Sequence, residues 1–332
     1  MSRDSAIEAG LGWLLAAALL ASVGAIALIR HPRTARGGGG MAGPPAPLPP
    51  SPPPPSSAPP PLIVPPPHVT APDIGPHEFS AGVMQWLPYL EQTIGMAGVD
   101  EGGQPIIPIR FMLSWLAEES DGNECAIGAP WEQANGLPLE SGLWQFMAPH
   151  DIAWAGTTIA AERRNCAAVP YVSAADGAEY VTLRGIPAAK RTTAQASRFT
   201  ELDAQMQRAR AIAQTRVAPL TEDQKLARVA SGVRYIAATM QLVDDAFARH
   251  GAKPWSKRDN DYWRLIKSRQ SGAGIPVGGL DAATAALGRV PVNWAEFKGG
   301  IWASNIGHQW DRGLSNAERA GARAFPVHQA GV

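Results

Sequence analysis

The sequence predicts a mainly α-helical globular domain held behind a membrane-spanning segment and a proline-rich linker. Three observations predict it. Apolar residues recur at three-and-four spacing in several segments after residue 78, the period of a helix with one buried face. Residues 10–29 (GLGWLLAAALLASVGAIALI) carry no charge. About half of the 31 prolines crowd between Pro44 and Pro76, a composition that extends the chain rather than packing it.

Taken in order, residues 1–9 are a short tail. Residues 10–29 match a hydrocarbon core of about 30 Å at ~1.5 Å per residue, so they read as a single transmembrane helix. A cleaved signal peptide fits less well: the apolar run is long, and Arg30-His31-Pro32-Arg33 offers no small-residue cleavage site. Residues 30–77 form a linker, opening on Gly37-Gly38-Gly39-Gly40 and continuing into Pro52-Pro53-Pro54-Pro55. Its proline-rich part, fully extended at ~3.1 Å per residue, would reach roughly 100 Å.

Residues 78–332 then make one folded domain with insertions, and 45% hydrophobic content suffices for one sizeable core. Its first helix runs over residues 79–98, with Val83, Trp86, Leu87, Leu90 and Ile94 on one face. A second helix spans residues 109–120, where Ile109, Met112, Leu113 and Leu116 form an apolar stripe and Asp121-Gly122-Asn123 is the stop. Glu119 falls on that stripe and Glu118 does not. A carboxyl placed against apolar neighbours is taken out of water, which raises its pKa and suits it to general-acid work.

The next informative stretch is Glu140-Ser141-Gly142-Leu143-Trp144-Gln145-Phe146-Met147-Ala148-Pro149. It combines a glycine for close approach, aromatics for stacking on a sugar face, and a glutamine that both donates and accepts. Eleven tryptophans are many for this length, and two or three are expected to line a sugar-binding cleft while the others fill the core.

Residues 167–196 read as loops with a short strand near Tyr180-Val181-Thr182-Leu183. A polar helix follows over 200–217. The strongest helix spans 221–250, with a capping box in Thr221-Glu222-Asp223-Gln224 and a terminating Gly251. Further helices are expected over 259–270, 281–287, 294–310 and 316–324.

Charge and motifs exclude several chemistries. The formal net charge is zero and no basic stripe carries interleaved aromatics, so there is no electrostatic footprint for nucleic acid. His77, His150, His250 and His308 are scattered without a His-Glu-x-x-His pattern, and the two cysteines lack CxxC spacing, so neither a metal nor another cofactor is expected. Nucleophile-elbow and phosphate-loop patterns do not occur. Cys125 and Cys166 flank the glycine-aromatic turn, and in an oxidising compartment their bond would close a loop of roughly 40 residues.

The helix ending in Glu119-Ser120, followed by Gly142-Leu143-Trp144-Gln145-Phe146-Met147 and Pro149, resembles the Glu-Ser and Gly-Leu-Met-Gln signatures of soluble-type lytic transglycosylases. Ser268 to Gly274 is similar to a later turn of that family in its glycines, while Arg269 and Gln270 replace the usual tyrosine and asparagine. The resemblance implies a lysozyme-like fold with Glu119 as the single catalytic acid/base. It implies Ser120, Gly142, Leu143, Trp144, Gln145, Phe146 and Gln270 as substrate-binding residues and peptidoglycan glycan strands as the partner. The implied reaction cleaves the β-1,4 bond between N-acetylmuramic acid and N-acetylglucosamine and closes a 1,6-anhydro ring.

Two alternatives stand beside it. A second carboxylate among Asp121, Glu124, Glu132 and Glu140 would make the chain a hydrolysing lysozyme. Alternatively, a membrane-anchored structural protein of a virion or secretion apparatus could retain a degenerate glycan-binding domain and have assembly partners. A wall-directed enzyme is expected to face the periplasm or cell wall. Arg30, Arg33 and Arg36 follow the spanning segment and only Arg3 precedes it, a bias that by itself favours the opposite orientation.

Overall fold

Pro108 leads the central helix of the domain, α3 (Ile109–Glu119), which buries Ile109, Phe111, Met112, Leu113, Ser114, Trp115 and Leu116. Apolar side chains on nearly every face make this a helix enclosed on all sides rather than one lying on a surface. The protein is represented by a computed structural model that describes residues 78–134, 136–148, 150–269, 275–304 and a few positions between 314 and 324, with only the backbone of His150 and Ile275. The segment 10–29 expected to span a membrane, the expected linker 30–77, Pro149, Gln270 and the expected Gly272 turn lie outside the described residues. Among the described residues, no helix is long and apolar enough to cross a membrane.

The architecture is mainly helical. The helix expected over residues 79–98 is instead α1 (Ala81–Met84), α2 (Leu87–Thr93) and a 3-10 turn, Ile94–Ala97. Pro88 explains the break. It lacks an N–H and falls in the first turn of α2, where proline starts a helix rather than continuing one. Trp86 uses the interruption to donate its indole N–H to Gly122 O at 2.8 Å.

After α3 come two small antiparallel hairpins, β1 (Gln133–Ala134) with β2 (Leu137–Pro138) and β3 (Glu140–Ser141) with β4 (Phe146–Met147). Two short helices follow, α4 (His150–Ala155) and α5 (Ile159–Glu162). The disulfide Cys125–Cys166, with Cα atoms 5.5 Å apart, closes this whole segment.

Residues 167–196 depart from expectation. In place of loops and a strand, they carry α6 (Ala174–Gly185), capped by the Ser173 hydroxyl, and a 3-10 turn, Ala188–Lys190. Tyr180 and Leu183, three apart, face Val172, Leu202, Met206 and Ala209 in a small separate core. A short apolar run fits either period, and here packing against the next helix selects the helical one. That helix, α7 (Thr193–Ala213), starts seven residues earlier than expected because Thr192 and Gln195 form a capping box.

α8 (Glu222–Arg249) carries the expected Thr221/Gln224 capping box, and Gly251 has a φ of 67°. It packs against α2 and α4 and, further on, against α9 (Asn260–Ser268) and α10 (Ile275–Leu287). α11 (Trp294–Ala303) lies on α10. α3, α8 and α9 supply the aromatic centre. Ring centroids are 4.8 Å apart for Phe111–Trp263, 5.2 Å for Trp115–Trp144 and 5.7 Å for Trp115–Tyr235. Gly232 of α8 makes room for it, since a Cβ there would lie 2.2 Å from the Trp144 ring.

Candidate active site

The end of α3 is pinned to the Gly142 turn by its own sequence. Ser120, the C-cap, donates its hydroxyl to Leu143 O at 2.7 Å and accepts from Gly122 N at 3.2 Å. Gly122 turns the chain with φ 76°, and a Cβ there would lie 1.9 Å from Gly82 O. The two stretches separated in sequence are thereby joined through one serine hydroxyl.

The turn itself is internally braced. Gly142 has φ 91° and Gln145 φ 50°. The Gln145 amide donates to Gly142 O at 2.9 Å. Trp144 donates its indole N–H to Arg228 O at 2.7 Å. Leu143, Trp144 and Phe146 are fully buried, and Gln145 nearly so. The expectation that these side chains face a sugar is therefore corrected. Burying two aromatic rings and a leucine is worth several kcal/mol, and they join the core. Ser120 and Gly142 likewise hold the backbone, while Gln270 lies outside the described residues.

Glu119 is where the helix reading places it, but its surroundings differ. Its side chain is 19% exposed, and Oε1 meets the ammonium of Lys267, whose side chain is 0% exposed. Lys267 comes from the last turn of α9 and lies 5.2 Å above the Trp115 ring, a cation held against an aromatic face. Glu119 is thus one half of an ion pair, not a lone carboxyl among apolar groups. Glu118 points elsewhere, 3.6 Å from Arg319 Nε.

The structure separates the four carboxylates nearest in sequence. Asp121 accepts from Ser80 Oγ at 2.6 Å. Glu124 is buried and paired with Arg216. Glu140 lies within electrostatic reach of both Glu119 and Glu132. Glu140 opens β3, opposite Met147, and its carboxyl lies along the backbone of Gly128, where a Cβ would come 2.2 Å from Oε2. It is within electrostatic reach of Glu119, Glu132, Asp151 and Lys267.

Burial pushes the Glu140 carboxyl from 4.5 up to about 8, helped by the charges of Glu119, Glu132 and Asp151 and opposed by Lys267. Burial also raises Glu132. A group with a pKa near 8 is roughly 90% protonated at pH 7. One site therefore holds a neutral carboxyl and an ion-paired carboxylate, supplied by different elements.

A second layer surrounds them. Asp151 of α4 accepts from Met147 N at 3.1 Å and so fixes the β4 end of the hairpin. The Tyr235 hydroxyl lies against Asp151 and Arg269, and burial together with Asp151 raises it well above the usual phenol range. The Arg269 guanidinium is stacked 4.6 Å over the ring of Trp154, which is 41% exposed.

The hairpin is anchored from behind. Arg163, lowered to about 10 by burial, donates to Ser141 Oγ and Cys125 O, both at 3.3 Å, and to Ala167 O and Ala213 O. Arg210 of α7 donates to Gly128 O at 3.2 Å and is within electrostatic reach of Glu140.

Sequence reasoning named Glu119 and Arg269 and weighed Glu140 without choosing it. It missed Lys267, Asp151, Tyr235 and the exposure of Trp154. The position of Glu140 directly before Ser141-Gly142 was the available signal. Among the described residues, no set of His, Cys, Asp and Glu could hold a metal. No family model, curated protein or solved structure matches the chain.

Proposed function

We propose that this chain is a peptidoglycan-cleaving glycosidase of lysozyme-like type, acting on the β-1,4 bond between N-acetylmuramic acid and N-acetylglucosamine. One observation carries the reading. Glu119 and Glu140 share a site in which one carboxyl is ion-paired with Lys267 and the other is held neutral at pH 7. A carboxyl held protonated beside one in contact with a cation offers the acid and the anion that glycoside cleavage requires.

The Glu-Ser and Gly-Leu-Trp-Gln motifs supply the substrate class and imply a 1,6-anhydro product. The presence of Glu140 as a second carboxyl favours a second reading, hydrolysis by water, because a lone acid/base would not need it. The Cys125–Cys166 bond fits a domain in an oxidising compartment outside the cytoplasm. That supports an outward-facing domain tethered by residues 10–29, despite the arginines that follow them.

Mass spectrometry of muropeptides released from purified peptidoglycan tests this. Anhydro-muramyl ends indicate a transglycosylase and reducing ends a hydrolase. Release of neither by the full-length chain would refute the glycosidase reading.

A further inference from the structure

We propose that Glu140, not Glu119, protonates the leaving glycosidic oxygen, and that Glu119, held by Lys267, is the carboxylate that faces the sugar C1. This rests on the glycosidase reading above and reverses the role that the motif resemblance assigns to Glu119.

The argument begins with Lys267. Its ammonium, enclosed by protein, contacts Glu119 Oε1, so of the two carboxyls Glu119 is the one whose anion has a partner in contact. Once Glu119 is ionised, its charge opposes ionisation of any neighbouring carboxyl. Glu140 is that neighbour. Glu119 from α3, Glu132 ahead of β1 and Asp151 from α4 all disfavour its anion, while Lys267 from α9 and Arg210 from α7 favour it only in part.

The Glu140 side chain lies on Gly128, and the backbones of the two residues are joined by Gly128 N to Glu140 O at 3.1 Å. A pKa driven to about 8 follows from that placement. It falls near the working pH at which a general acid is most effective.

The chemistry balances. Glu140 gives its proton to the glycosidic oxygen as the C1–O bond breaks, and the bonding pair leaves with that oxygen as an alcohol. The positive charge growing at C1 faces the Glu119 carboxylate. Water or the sugar's own C6 hydroxyl then adds to C1, and its proton returns to Glu140. Lys267 is a positioning residue that holds Glu119 in place through its contact with Oε1.

The test uses the full-length chain in two parallel measurements. In carbon-13 spectra of protein labelled at glutamate side-chain carboxyls, a resonance titrating near pH 8 should vanish in Glu140→Gln and persist in Glu119→Gln. Peptidoglycan turnover by Glu140→Gln should fall about 10²–10⁴-fold. Its turnover of a dinitrophenyl chito-oligosaccharide, whose leaving group needs no proton, should fall less than tenfold, whereas Glu119→Gln should lose both.

A high-pH resonance that belongs to Glu119, no glutamate titrating above about pH 6, or an activated leaving group that rescues Glu119→Gln would each overturn the assignment. Should Glu140→Gln misfold, Gly128→Ala shifts the same carboxyl by crowding it and should move the high-pH resonance. Wild-type protein that releases no muropeptide would bring down the glycosidase reading and the assignment with it. That outcome is distinguishable because the titration does not depend on turnover.

Discussion

Lys267 lies 148 positions after Glu119, yet its enclosed ammonium rests on Glu119 Oε1. A buried cation of this kind is tolerated because its partner is in contact and because the Trp115 ring lies beneath it. The pair fixes the end of α9 against the end of α3, and both helices deliver side chains to the same site.

This pairing predicts strong coupling. Lys267→Met should cost more in the wild-type background than in Glu119→Gln, with an interaction of about 1–3 kcal/mol in a double-mutant cycle. Urea unfolding of the two single variants and the double variant measures it. Additive effects would show that the contact is not maintained in solution.

Glu140 predicts a pH dependence of stability. Its pKa is raised from 4.5 in the unfolded chain to about 8 in the folded one, so between those values the folded state binds more protons. The stabilisation is present in full below pH 4.5 and is lost as pH rises through 8. The stability difference between wild type and Glu140→Gln should therefore fall by about 1.4 kcal/mol per pH unit across that window. Denaturant midpoints at pH 5, 6, 7 and 8 check the slope, and a flat difference would contradict it.

Gly232→Ala should destabilise the domain. The new Cβ would meet the Trp144 ring at 2.2 Å, and both neighbours are enclosed, so the overpacking should cost about 1–3 kcal/mol. Gly278→Ala in α10, where a Cβ meets nothing within 4 Å, should instead stabilise by roughly 0.5–1 kcal/mol. Thermal unfolding followed by tryptophan fluorescence separates the two.

The Cys125→Ser/Cys166→Ser double variant should lose roughly 4 kcal/mol in the chain-entropy picture, given the sequence separation of 41. Dithiothreitol should lower the unfolding midpoint of the wild type toward that of the variant and leave the variant unchanged.

Trp154→Ala should weaken binding to peptidoglycan about fivefold, near 1 kcal/mol, with little change in folding stability. The ring is part-exposed beside Arg269, so its loss removes a stacking surface rather than core volume. Trp144→Ala, by contrast, should cost about 3–5 kcal/mol of stability. Calorimetric titration with chito-oligomers and urea unfolding distinguish the two tryptophans.

Several elements are legible in the sequence alone. The apolar spacing and the Asp121-Gly122 stop placed the end of α3 to within one residue, and Thr221 and Gln224 placed the start of α8. These signals are local. Caps and periodicity act over three or four positions, so they are written in consecutive residues. The same local reading failed at Tyr180 to Leu183, where a short apolar run is ambiguous until Leu202 and Met206 cover it.

The candidate site was half legible for the same reason. Glu119 could be found because it ends a helix stripe, and Glu140 stood in view beside Gly142 without anything to distinguish it from Glu132 or Glu124. Nothing near Trp144 in sequence foretold that Gly232 would open a place for its ring.

By itself the sequence determined where α8 starts, that α3 would end at Glu119-Ser120, and that a glycine turn would follow. Only the tertiary structure decided that Lys267 pairs with Glu119, that Glu140 is the carboxyl whose anion its surroundings disfavour, and that Trp154 rather than Trp144 meets solvent. Helix formation is governed by neighbours along the chain. Burial and charge are governed by neighbours in space, which here come from α3, the β3–β4 hairpin, α4, α8 and α9 at once.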